Sequence, residues 1–156
     1  MSDMHLPDLV VHRGQLTVDG GPSGSSIQII SDDGLPNYTQ RIESFRIVGQ
    51  NGDGLTNARF AAVLHTGLPL YQGLAFDYSD PKQIGWAAVG LEDTFENESE
   101  WYQVDPTNLI VRELHLTAWH TLAGDMPLNY IITARRLVLD DTESLVALAN
   151  DVSTMT

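Results

Sequence analysis

What most limits the fold of this chain is its punctuation. Stretches that alternate apolar and polar residues are cut, one after another, by clusters of Gly, Pro, Asn, Asp and Ser. Residues 9–19 (LVVHRGQLTVD) place Val10, His12, Leu16 and Val18 on one side of an extended chain, then run into GGPSGSS at residues 20–26. Residues 27–30 (IQII) precede the turn-rich SDDGLPN, and residues 38–49 (YTQRIESFRIVG) alternate without interruption. That alternation sets Arg41, Glu43, Phe45 and Ile47 against Gln40, Ile42, Ser44, Arg46 and Val48. Further strands are expected at residues 58–66, 70–78, 83–91 and 108–119, with Pro69, Pro81 and Pro106 near the boundaries. Residues 128–139 (LNYIITARRLVL) are apolar on both faces, which places them centrally in a sheet. The expectation is a mainly β chain, an antiparallel β-sandwich or jelly-roll-like domain.

One helix interrupts this pattern. Asp140 can cap it and Glu143 stands three residues on, while Leu145, Leu148, Ala149 and Val152 form one apolar stripe. Residues 141–151 therefore read as an amphipathic helix lying on a sheet or on a neighbouring subunit. At 156 residues the whole chain, 1–156, fits a single domain with one core.

Charge narrows the partners. Asp and Glu number 21 against 8 Lys and Arg, a net charge of −13. Nucleic acids and anionic lipids bind through clustered cations that displace counterions, so neither is an expected partner. Lys82 is the only lysine and Asp outnumbers Glu fourteen to seven, a balance also found where proteins must stay soluble in salt. The chain has no cysteine, which excludes disulfides and thiolate metal sites. No run approaches the ~18 apolar residues of a membrane span. Residues 1–15 lack a basic region followed by an apolar core, so no secretory signal is expected.

Four stretches invite a chemical reading. ELHLTAWH (residues 113–120) gathers a carboxylate, two imidazoles and an indole. On a strand, Glu113, His115, Thr117 and Trp119 share one face and Leu114, Leu116, Ala118 and His120 the other, so the two histidines cannot hold one ion. The leucine face belongs in a core, and the Glu113–His115–Thr117–Trp119 stripe at the surface or at an interface. Residues 49–60 hold Asn51, Asp53, Gly54 and Asn57 at calcium-loop spacing, but Gly49 and Phe60 stand where the strongest carboxylate ligands belong. A hairpin loop fits better. DGGPSGSS (residues 19–26) lacks the lysine of a phosphate loop and the Gly-x-Ser-x-Gly of a nucleophile elbow, and reads as a connector. The acidic residues 92–105 surround Phe95, Trp101 and Tyr102 and read as a solvated loop. Within it Trp101 and Tyr102, with Glu98 and Glu100, are the best candidates for contact with a ligand or partner.

With every catalytic spacing broken, the expected function is non-enzymatic. It is that of a structural subunit of an assembly such as a virion coat, cement or decoration protein. Its partners would be copies of itself and other assembly proteins, with no cofactor and no metal. The residues expected at its interfaces are the Glu113–His115–Thr117–Trp119 stripe and the helical Leu145, Leu148 and Val152. The alternative is a stand-alone β-sandwich that binds carbohydrate through Trp86, Trp101 and Tyr102.

Overall fold

The computed structural model describes residues 9–20, 24–31, 38–49, 58–66, 76–91, 99–110, 112–121, 124–138 and 146. Eight strands carry most of them: β1 (Leu9–Val18), β2 (Ser25–Ile30), β3 (Tyr38–Gly49), β4 (Ala58–His65), β5 (Gln83–Leu91), β6 (Ser99–Val104), β7 (Leu114–His120) and β8 (Met126–Val138). All pairings are antiparallel, in a three-stranded sheet ordered β1-β8-β3 and a five-stranded sheet ordered β2-β7-β4-β5-β6. The chain is thus a mainly β, two-sheet, sandwich-like fold. The first strand pairs with the last and the second with the seventh, so most consecutive strands lie in different sheets.

Between the sheets sits the main core. Ile42, Phe45 and Ile47 of β3 and Leu128, Ile132 and Ala134 of β8 face Phe60, Ala62 and Leu64 of β4, Leu114, Leu116 and Ala118 of β7, and Val89 of β5. Burying each of the larger side chains is worth about 1.5–3 kcal/mol. On β1 the more buried side is the expected one, Val10, His12, Leu16 and Val18.

β3 departs from its simple alternation. Unbroken period two would put Phe45 and Ile47 opposite Ile42, yet all three are buried. The register with β8 steps between Ile42 and Ser44, leaving Glu43 as an extra residue. This bulge brings two apolar sets that are out of phase back to one face. Beside it, the Asn108 side chain imitates a peptide unit. Its Nδ2 donates to the Ile42 carbonyl at 2.9 Å and its Oδ1 accepts from the Ile42 amide at 2.8 Å. Ile110 then exchanges both backbone hydrogen bonds with Gln40. Residues 108–119 are therefore not one strand. Their first part lies along β3 and only β7 belongs to the five-stranded sheet, a change of sheet that alternation cannot reveal.

Three other expectations change. Part of the acidic stretch 92–105 is a strand, β6, because its Ser99–Val104 pairs with β5. β3 and β4 lie in different sheets and so are not the two strands of a hairpin, and residues 50–57 between them lie outside the described residues. Of residues 70–78, those described, 76–78, are outside any strand. β8 is central in its sheet as expected, but one of its faces is open, with Ile131 exposed. Of the predicted helix only Val146 is described, helical and exposed. Leu145, Leu148 and Val152 lie outside the described residues.

Candidate functional site

Of the stripe Glu113–His115–Thr117–Trp119, the last three are buried and Glu113, just before β7, is half-buried. Every residue of β7 is buried, on both faces. β7 is an inner strand flanked by β2 and β4, and side chains from neighbouring strands, with the turn at Gly24, cover its outward face. Across the β4 register, His115 lies opposite His65, Thr117 opposite Val63, and Trp119 opposite Ala61. Trp119, Val63 and Trp86 of β5 form a second, smaller apolar cluster outside the main core. The turn into β2 closes over it. Gly24 holds a φ of +67°, and a Cβ there would meet the Ala118 carbonyl at 2.5 Å and the Trp119 indole at 2.7 Å. The Trp119 Nε1 has no hydrogen-bond partner among the described residues.

A polar network runs through the same layer. His115 Nε2 lies 2.9 Å from Glu113 Oε2, and its ring stacks on that of His65 at 5.6 Å between centroids. His65 Nε2 is 2.7 Å from Thr117 Oγ1, which is 2.6 Å from Ser26 Oγ. Burial, and then the neighbouring imidazole of His115, push the His65 pKa down to about 4, against a smaller upward pull from Asp80. The ring is therefore neutral at pH 7. A nucleophile must touch both its base and its substrate. Here the hydroxyl on the imidazole is that of Thr117, which is fully buried. The exposed Ser26 is one hydroxyl further away, and Glu113 orients His115 instead of His65. The network links side chains of strands β2, β7 and β4. Sequence reading passed over His65 because only the pairing of β4 with β7 brings it to His115.

His120 faces the opposite way, as alternation requires. Its Nε2 donates to the Val18 carbonyl at 3.0 Å, and its ring packs near Phe60 in the main core. Among the described residues no three His, Asp or Glu side chains converge closely enough to hold a metal ion.

The β6 candidates divide between two faces. Trp101 turns outward and stacks on Phe76 at 5.9 Å, and Tyr78 stands edge-on to Trp86 nearby at 4.6 Å. Phe76, Tyr78 and Trp101 are all exposed. Glu100 and Tyr102 turn toward β3, where Arg46 meets both. Its Nε and Nη2 donate to the two Glu100 oxygens at 2.7 and 2.8 Å, and its guanidinium lies 5.6 Å over the Tyr102 ring. The hydrogen bond from Arg46 holds the Glu100 carboxyl below its ordinary range. This fork spans the gap between one edge of each sheet. Glu98 lies outside the described residues. Of the three candidates described, Trp101 therefore faces away from Glu100 and Tyr102.

No sequence signal marked the remaining candidate, the outer face of the three-stranded sheet. The registers put Leu9, Arg135 and Arg41 in one row across it, then Val11, Thr133 and Ser44, then Arg13, Ile131 and Arg46, then Gln15, Asn129 and Val48. Leu9, Val11, Val48 and Ile131 are all more than two-fifths exposed. Four of the chain's eight cationic residues stand on this face. Arg135 donates to Glu43 at 2.8 Å and Arg46 is engaged with Glu100, while Arg13 and Arg41 make no ion pair among the described residues. The arginines come from three strands far apart in sequence, so no stretch looks basic.

No family model matches this chain, and no characterised protein or solved structure shows significant similarity to it. Function therefore rests on the chain's own geometry.

Proposed function

We propose that this chain is a non-enzymatic structural subunit with jelly-roll topology, such as a virion coat, cement or decoration protein, that works through contacts between subunits. The observation that carries this reading is the order of the strands. A jelly roll is an antiparallel hairpin of strands wrapped into two sheets, so that strand one pairs with eight, two with seven, three with six and four with five. β1 pairs with β8, β2 with β7 and β4 with β5. The third rung has its counterpart just past the end of β6, where Ile110 bridges Gln40 of β3. The Arg46–Glu100 fork adds a side-chain link between β3 and β6 themselves. Shell-forming viral proteins use this topology, as do lectins and cupins.

Composition weighs in the same direction. The net charge of −13 disfavours nucleic acid and anionic membrane as direct partners and leaves protein surfaces as the natural ones. Light scattering and electron microscopy of the purified chain, over a range of concentration and salt, test the proposal. Defined oligomers or particles are expected, and a monomer under every condition would sink it. A carbohydrate-binding module is the second reading, favoured by the exposed Phe76–Trp101 stack with Tyr78 beside it. Retention on an oligosaccharide panel that Trp101→Ala abolishes, in a chain that stays monomeric, would decide for that reading instead.

A further inference from the structure

We propose that the outer face of the three-stranded sheet is an interaction surface whose occupant is an acidic surface of a second copy of this chain. The inference rests on the assembly reading and names the face through which assembly proceeds.

Four observations carry it. The face is apolar and open, for Leu9, Val11, Ile131 and Val48 are exposed on adjoining strands. Exposed apolar groups grouped among polar ones mark sites of association. Its cations are all arginine, the charged residue that protein interfaces enrich, and it contains no lysine. Its charge is opposite to that of the molecule. Glu43 is its only acidic side chain among the described residues, against four arginines, which leaves twenty acids and four cations for the rest of the sequence. Finally, the face is costly to build. Arg41 and Arg135 lie directly opposite each other on β3 and β8, a like-charge pair that weakens a sheet. Glu43 relieves one of them, and Arg41 is left without an acid among the described residues.

The charge pattern also fixes the kind of contact. Two such faces repel, so a two-fold dimer with this face on both sides is disfavoured. An acidic surface elsewhere on a second copy is complementary to it. A contact between different surfaces of identical chains is heterologous and closes into a ring or continues as an open array, which is what a shell subunit requires. A polyanion is the weaker occupant. Two of the four arginines are already neutralised by Glu43 and Glu100, and the apolar residues between them have no role on a phosphate backbone.

The test compares the wild-type chain with the Arg13→Glu, Arg41→Glu double variant and with Arg59→Glu, an exposed arginine on β4 outside the face. Mass is followed by analytical ultracentrifugation over a concentration series, at low salt and at ~0.5 M salt, where charge contacts are screened. Thermal melting checks that each variant is folded. The wild type is expected to associate, and more weakly in the higher salt. The double variant should associate at least about tenfold more weakly, and Arg59→Glu within about twofold of wild type. A wild type that associates and a folded double variant that associates equally would overturn the inference and leave the assembly reading standing. A wild type that is monomeric throughout would overturn both. Binding of a single-stranded oligonucleotide by the wild type, lost in the double variant and without self-association, would assign the face to nucleic acid and overturn the inference as well.

Discussion

The two sheets turn very different outer faces away from the shared core. On the three-stranded sheet that face is open and mixes exposed Leu9, Val11, Val48 and Ile131 with arginines. On the five-stranded sheet the corresponding side of β7 is closed, with Trp119 and Thr117 at 0% exposure and the two stacked imidazoles beside them. Yet the sequences alternate in much the same way, and the polar-looking HLTAWH of β7 is the buried one. Residue type therefore did not decide which face is wet. Neighbours did. β7 has β2 and β4 on either side, Trp86 and Val63 against its indole, and the Gly24 turn over the top.

The comparison breaks most sharply at Trp119. Trp119→Ala should cost about 3–5 kcal/mol in urea unfolding, as a main-core tryptophan would. A loss below about 1 kcal/mol would mean that the outer layer is not a core. Gly24→Ala comes next, at about 2 kcal/mol or more, because alanine pays both for the positive φ and for the approach to Trp119. If Gly24→Ala melts like wild type, the turn does not close the layer.

The third effect is a pH dependence. His65 has a pKa of about 4 in the fold against 6.5 ordinarily, so between those values the unfolded chain binds a proton that the folded chain does not. Stability from this group is complete above pH 6.5 and declines as the pH falls toward 4, by up to about 1.4 kcal/mol per pH unit. Chemical unfolding at pH 7 and pH 5 should show the decline, and His65→Gln should flatten it. An equal slope in that variant would move the effect to another group. Smallest is Ile131→Ser on the open face, expected within about 0.5 kcal/mol of wild type. A loss as large as that of Trp119→Ala would show that the face is covered in solution.

Much of the fold could be read from spacing alone. Period two with turn clusters is local information, and it located β1, β4, β5 and β8 and split His115 from His120, because side chains on a strand must alternate. The bulge at Glu43 was hidden, since one extra residue looks like nothing until Ile42 and Phe45 must share a core. β6 was hidden because acids and aromatics on an outer strand resemble a loop. The candidate site fared worse. Trp101 and Tyr102 adjoin in sequence and so part across the sheet, while His65 meets His115 only through the pairing of β4 with β7.

The residues alone establish a β chain, its acidic surface and the opposed faces of each strand, for these follow from backbone geometry and net charge. Pairing decided the rest. Which strands lie side by side, that β7 is buried on both faces, and that arginines from β1, β3 and β8 meet on one open face all depend on partners distant in the chain. Local pattern contains no record of them, because a strand carries the same alternation whichever neighbour it finds.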